Sequence, residues 1–300
     1  MKKKQSIISA LLLLLLLLLS AACSEDTPLN DEQYIKQVYI VGSDETTNMG
    51  IRTVDVAYQD TGKSETDISV STGGSLNIDQ AITVTVDEAG AAAIDDYNFK
   101  YLNDNDVHYR LLAASDYHIP DNQVTVKAGA VYGTMPVYIT SRGLNCDSLY
   151  ALTFKISAVS DPDYISVRRQ DTVLILAFNF VNNYSGSYQM DGYYYKWADE
   201  APSGDSTSVS TARLLKAVNA HTVRFYHLAS TETATNLSAS GITLTVNPDN
   251  SVTIQAWNGL SITSSGGTYN ASSGTFTIWY NYRSGETDYQ FSGTLVCNND

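Results

Sequence analysis

From residue 35 onward the chain shows no sustained apolar period of 3.6 residues. Short runs of alternating apolar and polar residues recur instead, each bounded by Gly, Asn, Asp or Ser. That is the pattern of an all-β chain. In the first half the runs are Val38–Val41, Arg52–Tyr58, Ala81–Val86, Gln123–Lys127, Gly133–Ile139 and Tyr150–Val159. The alanine-rich stretch Ala89–Asp96 predicts one helical turn. Six or seven strands over this length predict a β-sandwich of immunoglobulin-like size. Asp161-Pro162-Asp163 and Arg168-Arg169 interrupt the pattern, which places a boundary between 160 and 170. Eight further runs follow: Val173–Val181, Ser187–Trp197, Ser208–Lys216, Thr222–Leu228, Gly241–Val246, Ser251–Trp257, Gly274–Arg283 and Asp288–Val296. They predict an antiparallel up-and-down β-barrel or a second sandwich. Closure into a barrel would remove exposed strand edges.

The first residues are patterned differently. Lys2-Lys3-Lys4 precedes an unbroken apolar run, Leu11–Leu19, and the small residues Ser20-Ala21-Ala22 lead to Cys23. These are the three parts of a secretory signal. The cysteine directly after them resembles a bacterial lipobox, with Ser20 where Leu is usual, and marks Cys23 as the lipidation site. Ser24-Glu25-Asp26 resembles the surface-export signal of Bacteroidetes lipoproteins. The expected organisation is therefore a lipoprotein signal peptide over 1–22, a tether over 23–34, a spacer sandwich over 35–162 and a second β domain over 163–300. Cys146 and Cys297 fall in different domains and are expected to be free thiols.

Charge and composition then exclude some chemistry. The formal net charge is -14, but without the three leader lysines 15 basic groups face 32 acidic ones. Such a chain is a poor partner for nucleic acid, whose phosphates need clustered Lys and Arg. His108, His118, His221 and His227 are scattered, so no metal site is expected, and no cofactor. Asp104 and Asp106 could offer oxygens to calcium but lack the Gly and distal Glu of a recognised loop.

The order Asp95-Asp96-Tyr97-Asn98, Arg110-Leu111-Leu112, Ser115-Asp116-Tyr117, Val124-Thr125-Val126-Lys127-Ala128-Gly129 and Tyr150-Ala151-Leu152 carries a resemblance. It resembles the N-terminal domain of unknown function in Bacteroidetes surface lipoproteins of polysaccharide-utilisation loci, with Ala113 where that family has Pro. That module also precedes glycosidase domains. The second half, opening Asn183-Tyr184-Ser185-Gly186-Ser187-Tyr188, is similar to the lipocalin-like or sandwich domain that often follows it. The resemblance implies a glycan-related protein on the outer membrane, lipid-anchored and facing the exterior. It implies polysaccharide or oligosaccharide as partner and an outer-membrane transporter complex as a further one. It supplies no catalytic residues.

The search for catalysis finds nothing that converges. The Asp-x-x-Asp-x-Asp-x-Glu strand of accompanying glycosidases is absent, as are a nucleophile elbow and His-Glu-x-x-His. Binding is better supported, since Trp197, Trp257 and Trp279 all fall in the second half among 21 tyrosines in the chain. Strand parity puts Phe276, Ile278, Tyr280 and Tyr282 on one face, and Trp279, Asn281 and Arg283 on the other. Trp257 likewise shares a polar face with Thr253 and Gln255, and Tyr193, Tyr195 and Trp197 share one strand face. An indole among amides suits a sugar ring, stacking on its C–H face while amides bond the hydroxyls. Tyr193, Tyr195, Trp197, Trp257, Trp279 and Asn281 are the candidate ligand-binding set. The competing readings are core packing, an adhesin or assembly component with a flat aromatic patch, and a lipocalin-like carrier with an open apolar lumen. Asp147-Ser148-Leu149 and Asp171-Thr172-Val173 also look like O-glycosylation motifs of this phylum.

Overall fold

The computed structural model describes residues 31–43, 50–164 and 173–298. The leader, Cys23 and most of the tether lie outside the described residues, as does most of Asp171-Thr172-Val173. The protein is all-β: a sandwich followed by a nearly closed barrel. One sandwich sheet orders β1 (Gln37–Ile40), β3 (Ser64–Gly73), β8 (Tyr132–Ile139) and β6 (Tyr117–His118). The other orders β2 (Ile51–Ala57), β10 (Leu174–Val181), β9 (Leu149–Val159), β4 (Ile82–Glu88) and β7 (Gln123–Val126), with β5 (Tyr109–Leu111) laid along β9. Alternation does the work expected of it. Ile82, Val84 and Val86 of β4 face Ile68, Val70, Met135 and Val137 across the core.

Two features of the sandwich differ from the sequence expectation. The helix is α1 (Ala92–Tyr101), more than one turn long. It is pinned by Asn98, whose amide donates to Tyr109 O (2.8 Å) and accepts from Tyr109 N (3.0 Å). Strand β10, which the sequence assigns to the second unit, lies in the first unit's sheet. It pairs in parallel with β2 and antiparallel with β9. Its Leu174–Phe178 segment is buried at every position, with Ile175 and Ala177 packed under α1 beside Ile94 and the other side facing the sandwich core. A strand covered on both faces reads as a continuous apolar run. Such a run carries no mark of which sheet it joins.

The barrel strands are β11 (Gly186–Ala198), β13 (Thr207–Ala217), β14 (Thr222–Tyr226), β15 (Gly241–Val246), β16 (Val252–Ala256), β17 (Ser261–Asn270), β18 (Thr275–Ser284) and β19 (Thr287–Cys297). The short β12 (Ala201–Pro202) folds back on the end of β11. Each long strand pairs with its neighbour in sequence from β13 to β16 and from β17 to β19, and β19 pairs with β11 from Tyr188↔Cys297 to Lys196↔Tyr289. The meander thus closes first strand on last. Its looser seam is β16–β17, held by the Ser251↔Thr268 bridge and the Tyr269 N–H to Asn250 O bond (2.9 Å).

The lumen is filled. Tyr188, Met190, Phe225, Phe276, Tyr280, Phe291 and Leu295 form one buried cluster, as expected of an eight-stranded barrel just wide enough for side chains. This packing overturns the reading of the barrel as a carrier with an open apolar lumen. Gly192 and Gly293 stand opposite each other in β11 and β19. A Cβ on Gly293 would overlap Asp191 O and lie 2.8 Å from Phe291 Cζ, so both strands need glycine for that ring to pack.

At one end of the lumen His227 is buried, with Nδ1 3.1 Å from the Tyr280 hydroxyl, while the Tyr194 hydroxyl donates to His227 O. Desolvation, then the nearby Arg213 charge, hold the imidazole neutral and lower its pKa to about 4. Burial raises the Tyr280 phenol well above its ordinary value.

Candidate functional site

Register, more than strand parity alone, decides which candidate residues meet. Tyr193 pairs with Ser292 on β19, Ser292 pairs with Trp279 on β18, and Trp279 pairs with Gly266 on β17. One row along, Tyr195 pairs with Gln290, Gln290 with Asn281, and Asn281 with Ser264. Directly paired residues share a face. Phe291 and Tyr280 between the rows, and Ile278 beside Trp279, are buried in the lumen, so these two rows lie on the barrel's outer wall. Four of the six candidates, Tyr193, Tyr195, Trp279 and Asn281, are therefore brought together on one convex surface.

The geometry of that surface is open and polar between its aromatic rings. Tyr193 is 50% and Trp279 41% exposed, the two most exposed rings of the barrel. They stand two strand spacings apart, about 9.6 Å, with the small Ser292 between them. Tyr193 and Tyr195 lean together, ring centroids 6.2 Å apart. The Trp279 indole lies across Gly266, where a Cβ would sit 3.0 Å from Nε1. Glycine there lets the ring lie flat on the sheet and turn its other π-face outward. The Gln290 amide donates to Asn281 Oδ1 (2.9 Å), which fixes both side chains between the rings. Farther along, Arg283 grips Asp288 through Nε (2.8 Å) and Nη2 (2.9 Å). The chemistry on offer is aromatic stacking with amide and hydroxyl bonding.

Trp197 stays on the β11 face of Tyr193 and Tyr195 by parity but sits at the strand's end, half-buried and paired with Pro202. Trp257 stands at the domain junction, just past the end of β16. Its indole N–H donates to Asp147 Oδ2 (3.1 Å) of the sandwich, away from the other four.

Asp147 is the residue the sequence reading missed. It ends the turn before β9 and also takes Arg224 Nη2 and Lys216 Nζ (3.5 Å) from the barrel. The Arg224 side chain is fully buried and places Nη1 2.7 Å from Glu232 Oε1. An arginine inside the apolar run Val223-Arg224-Phe225-Tyr226 was the available signal, since a buried guanidinium requires a carboxylate. Around this junction Ala220 N–H donates to Asp60 Oδ1 (3.0 Å), and the Asn182 amide donates to Asn219 O (2.7 Å) and Thr222 O (3.0 Å). In the Asp147-Ser148-Leu149 motif, Ser148 Oγ accepts from Arg110 Nη2 (2.6 Å), and Asp147 is the ion-pair partner of Arg224. Among the described residues no group of His, Cys, Asp and Glu is placed to hold a metal. Asp106 instead accepts from Asn103 N–H (2.7 Å), which lowers its pKa.

Known proteins share this two-part organisation. A family model described as an N-terminal domain matches residues 34–163, and one described as a C-terminal domain matches 172–296. The two models match adjoining stretches, one on the sandwich and one on β10 and the barrel. Several solved structures share the fold. A multidomain protein including DUF1735 from Bacteroides ovatus is 16% identical with a TM-score of 0.63, over 88% of this chain and 94% of that one. A second Bacteroides ovatus protein of unknown function is 15% identical with a TM-score of 0.65, over 87% and 94%. A protein described as an auxiliary nutrient binding protein from Bacteroides thetaiotaomicron is 18% identical with a TM-score of 0.59, over 86% and 94%. At these identities the likeness is one of fold. No curated protein matches the chain.

Proposed function

We propose that this protein is a non-catalytic glycan-binding lipoprotein, anchored through Cys23 on the exterior of the outer membrane, that helps capture polysaccharide for uptake. One observation carries the proposal: Tyr193, Tyr195, Trp279, Asn281, Gln290 and Ser292 occupy adjacent register positions on one exposed face. Rings at the two ends with amides and a hydroxyl between them match a sugar chain, which alternates C–H faces and hydroxyls. The sandwich acts as a spacer that holds the barrel away from the membrane. The shared fold with a protein described as an auxiliary nutrient binding protein fits this reading.

Affinity electrophoresis of the mature chain against a polysaccharide panel tests it. At least one polysaccharide should retard the wild type, and Trp279→Ala with Tyr193→Ala should run free on the same gel. No retardation on any polysaccharide counts against the proposal. A second reading, an adhesin or assembly component, draws on the convex, unwalled form of the face. It predicts that the wild type binds a protein partner which the same double variant no longer binds, with no polysaccharide retardation at all.

A further inference from the structure

Between sandwich and barrel, beside the Asp147 junction, lies a cleft of ≈ 870 Å³ walled by Tyr58, Asp60 and Arg142 from one side and Asn219, His221 and Trp257 from the other. Its size and its place between domains are those of a small-molecule site. Both of its aromatic rings are held in place. Trp257 is oriented by its bond to Asp147, and Tyr58 is buried edge-on against Phe180 (6.2 Å, 72°) with its hydroxyl accepting from Gly143 N–H (3.0 Å).

Charge gives the second half of the argument. In a chain whose acids outnumber its bases by 32 to 18, this cleft sets Arg142 beside a single carboxylate, Asp60. That carboxylate already accepts the Ala220 N–H, whereas Arg142 is exposed and has no ion-pair partner among the described residues. A free guanidinium beside fixed aromatic rings binds a carboxylate carried on a ring with an apolar face. We infer that the cleft is a second site, distinct from the outer wall, for a saccharide bearing a carboxylate, such as a uronic acid residue. Arg142 meets the carboxylate and Trp257 the sugar face. The inference takes only its ligand class from the proposed function.

The test uses the mature chain carrying Trp197→Phe and Trp279→Phe, so that Trp257 alone reports. Oligogalacturonate should change its emission saturably, and raised salt should weaken the binding. Arg142→Gln, at an exposed position, should weaken it by at least about tenfold, the loss expected for one charge-assisted hydrogen bond. A neutral oligosaccharide of equal length should bind more weakly. No saturable change, or equal affinity in Arg142→Gln, would overturn the inference. So would equal binding of a glutamate oligopeptide, which would assign the cleft to acidic peptides. Retardation of the wild type by neutral polysaccharide without any Trp257 response would leave the outer wall standing and remove the cleft. A Trp257 response without retardation would do the reverse.

Discussion

Replacing Asp147 by alanine strips the domain junction of an acceptor shared by Arg224, Lys216 and Trp257. Arg224, fully buried, then keeps Glu232 at 2.7 Å as its carboxylate partner, and the Trp257 indole N–H loses its acceptor. Breaking a buried ion pair costs about 3–5 kcal/mol, because the surviving charge is left desolvated. Three details set the value within that range. Glu232 still neutralises Arg224, which favours the lower end. Lys216, at 3.5 Å and about one-third exposed, contributes well under ~1 kcal/mol. The Trp257 bond is worth about 1 kcal/mol, largely recovered from water in the open cleft. The expected loss is about 3 kcal/mol, roughly a hundredfold in the folding equilibrium. Urea unfolding followed by tryptophan fluorescence reads it directly, since all three tryptophans belong to the barrel. The paired variant Asp147→Leu with Arg224→Met removes both charges and should recover most of the loss. A drop below about 0.5 kcal/mol in Asp147→Ala would place the pair among ordinary surface ion pairs and refute the reasoning. A paired variant as damaged as the single one would refute it equally.

Other consequences follow from single residues. His227 is neutral in the fold down to about pH 4 but charges near 6.5 when unfolded, so the folded state binds fewer protons between those values. Its contribution is therefore complete above about pH 6.5 and lost as pH falls toward 4, by about 3 kcal/mol. Denaturation midpoints across that window should slope less in His227→Gln than in the wild type, and identical slopes would exclude the assignment. Gly293→Ala drives a methyl into Asp191 O and the Phe291 ring, and should cost about 2 kcal/mol or more, seen as a lowered melting temperature. Gly266→Ala lifts the Trp279 indole off β17 without touching a ligand. It should reduce polysaccharide retardation severalfold while thermal stability moves little, and unchanged retardation would show that the ring's attitude is irrelevant.

Much of the fold was legible because most strands bury a regular apolar row. Phe276, Ile278, Tyr280 and Tyr282 announce both the β18 strand and the outward position of Trp279. Strands β3 and β17 were invisible for the opposite reason. β3 buries little beyond Ile68 and Val70 among serines, threonines and acids, and β17 reads Ser-Ile-Thr-Ser-Ser-Gly-Gly-Thr-Tyr-Asn. Their neighbours' hydrogen bonds, not their own side chains, make them strands. Helix α2 (Ala234–Ser240) was also missed, although Thr233 and Asn236 form its reciprocal cap through bonds of 2.8 and 3.2 Å. The expected count of eight barrel strands is met only because β17 replaces β10. Parity put Trp257 off the barrel core, as observed, but parity describes one strand. The acceptor waiting for its indole belongs to the other domain, 110 residues away, and no local pattern encodes that meeting.

On the proposed function, the outer wall of the barrel meets the glycan through Trp279. Indole N–H resonances in a ¹⁵N-labelled mature chain test it most directly, because each of the three tryptophans gives its own signal. On titration with a polysaccharide that retards the protein, the Trp279 resonance should shift saturably and Tyr193→Ala should reduce that shift. A retarding polysaccharide that leaves Trp279 unmoved would contradict the account.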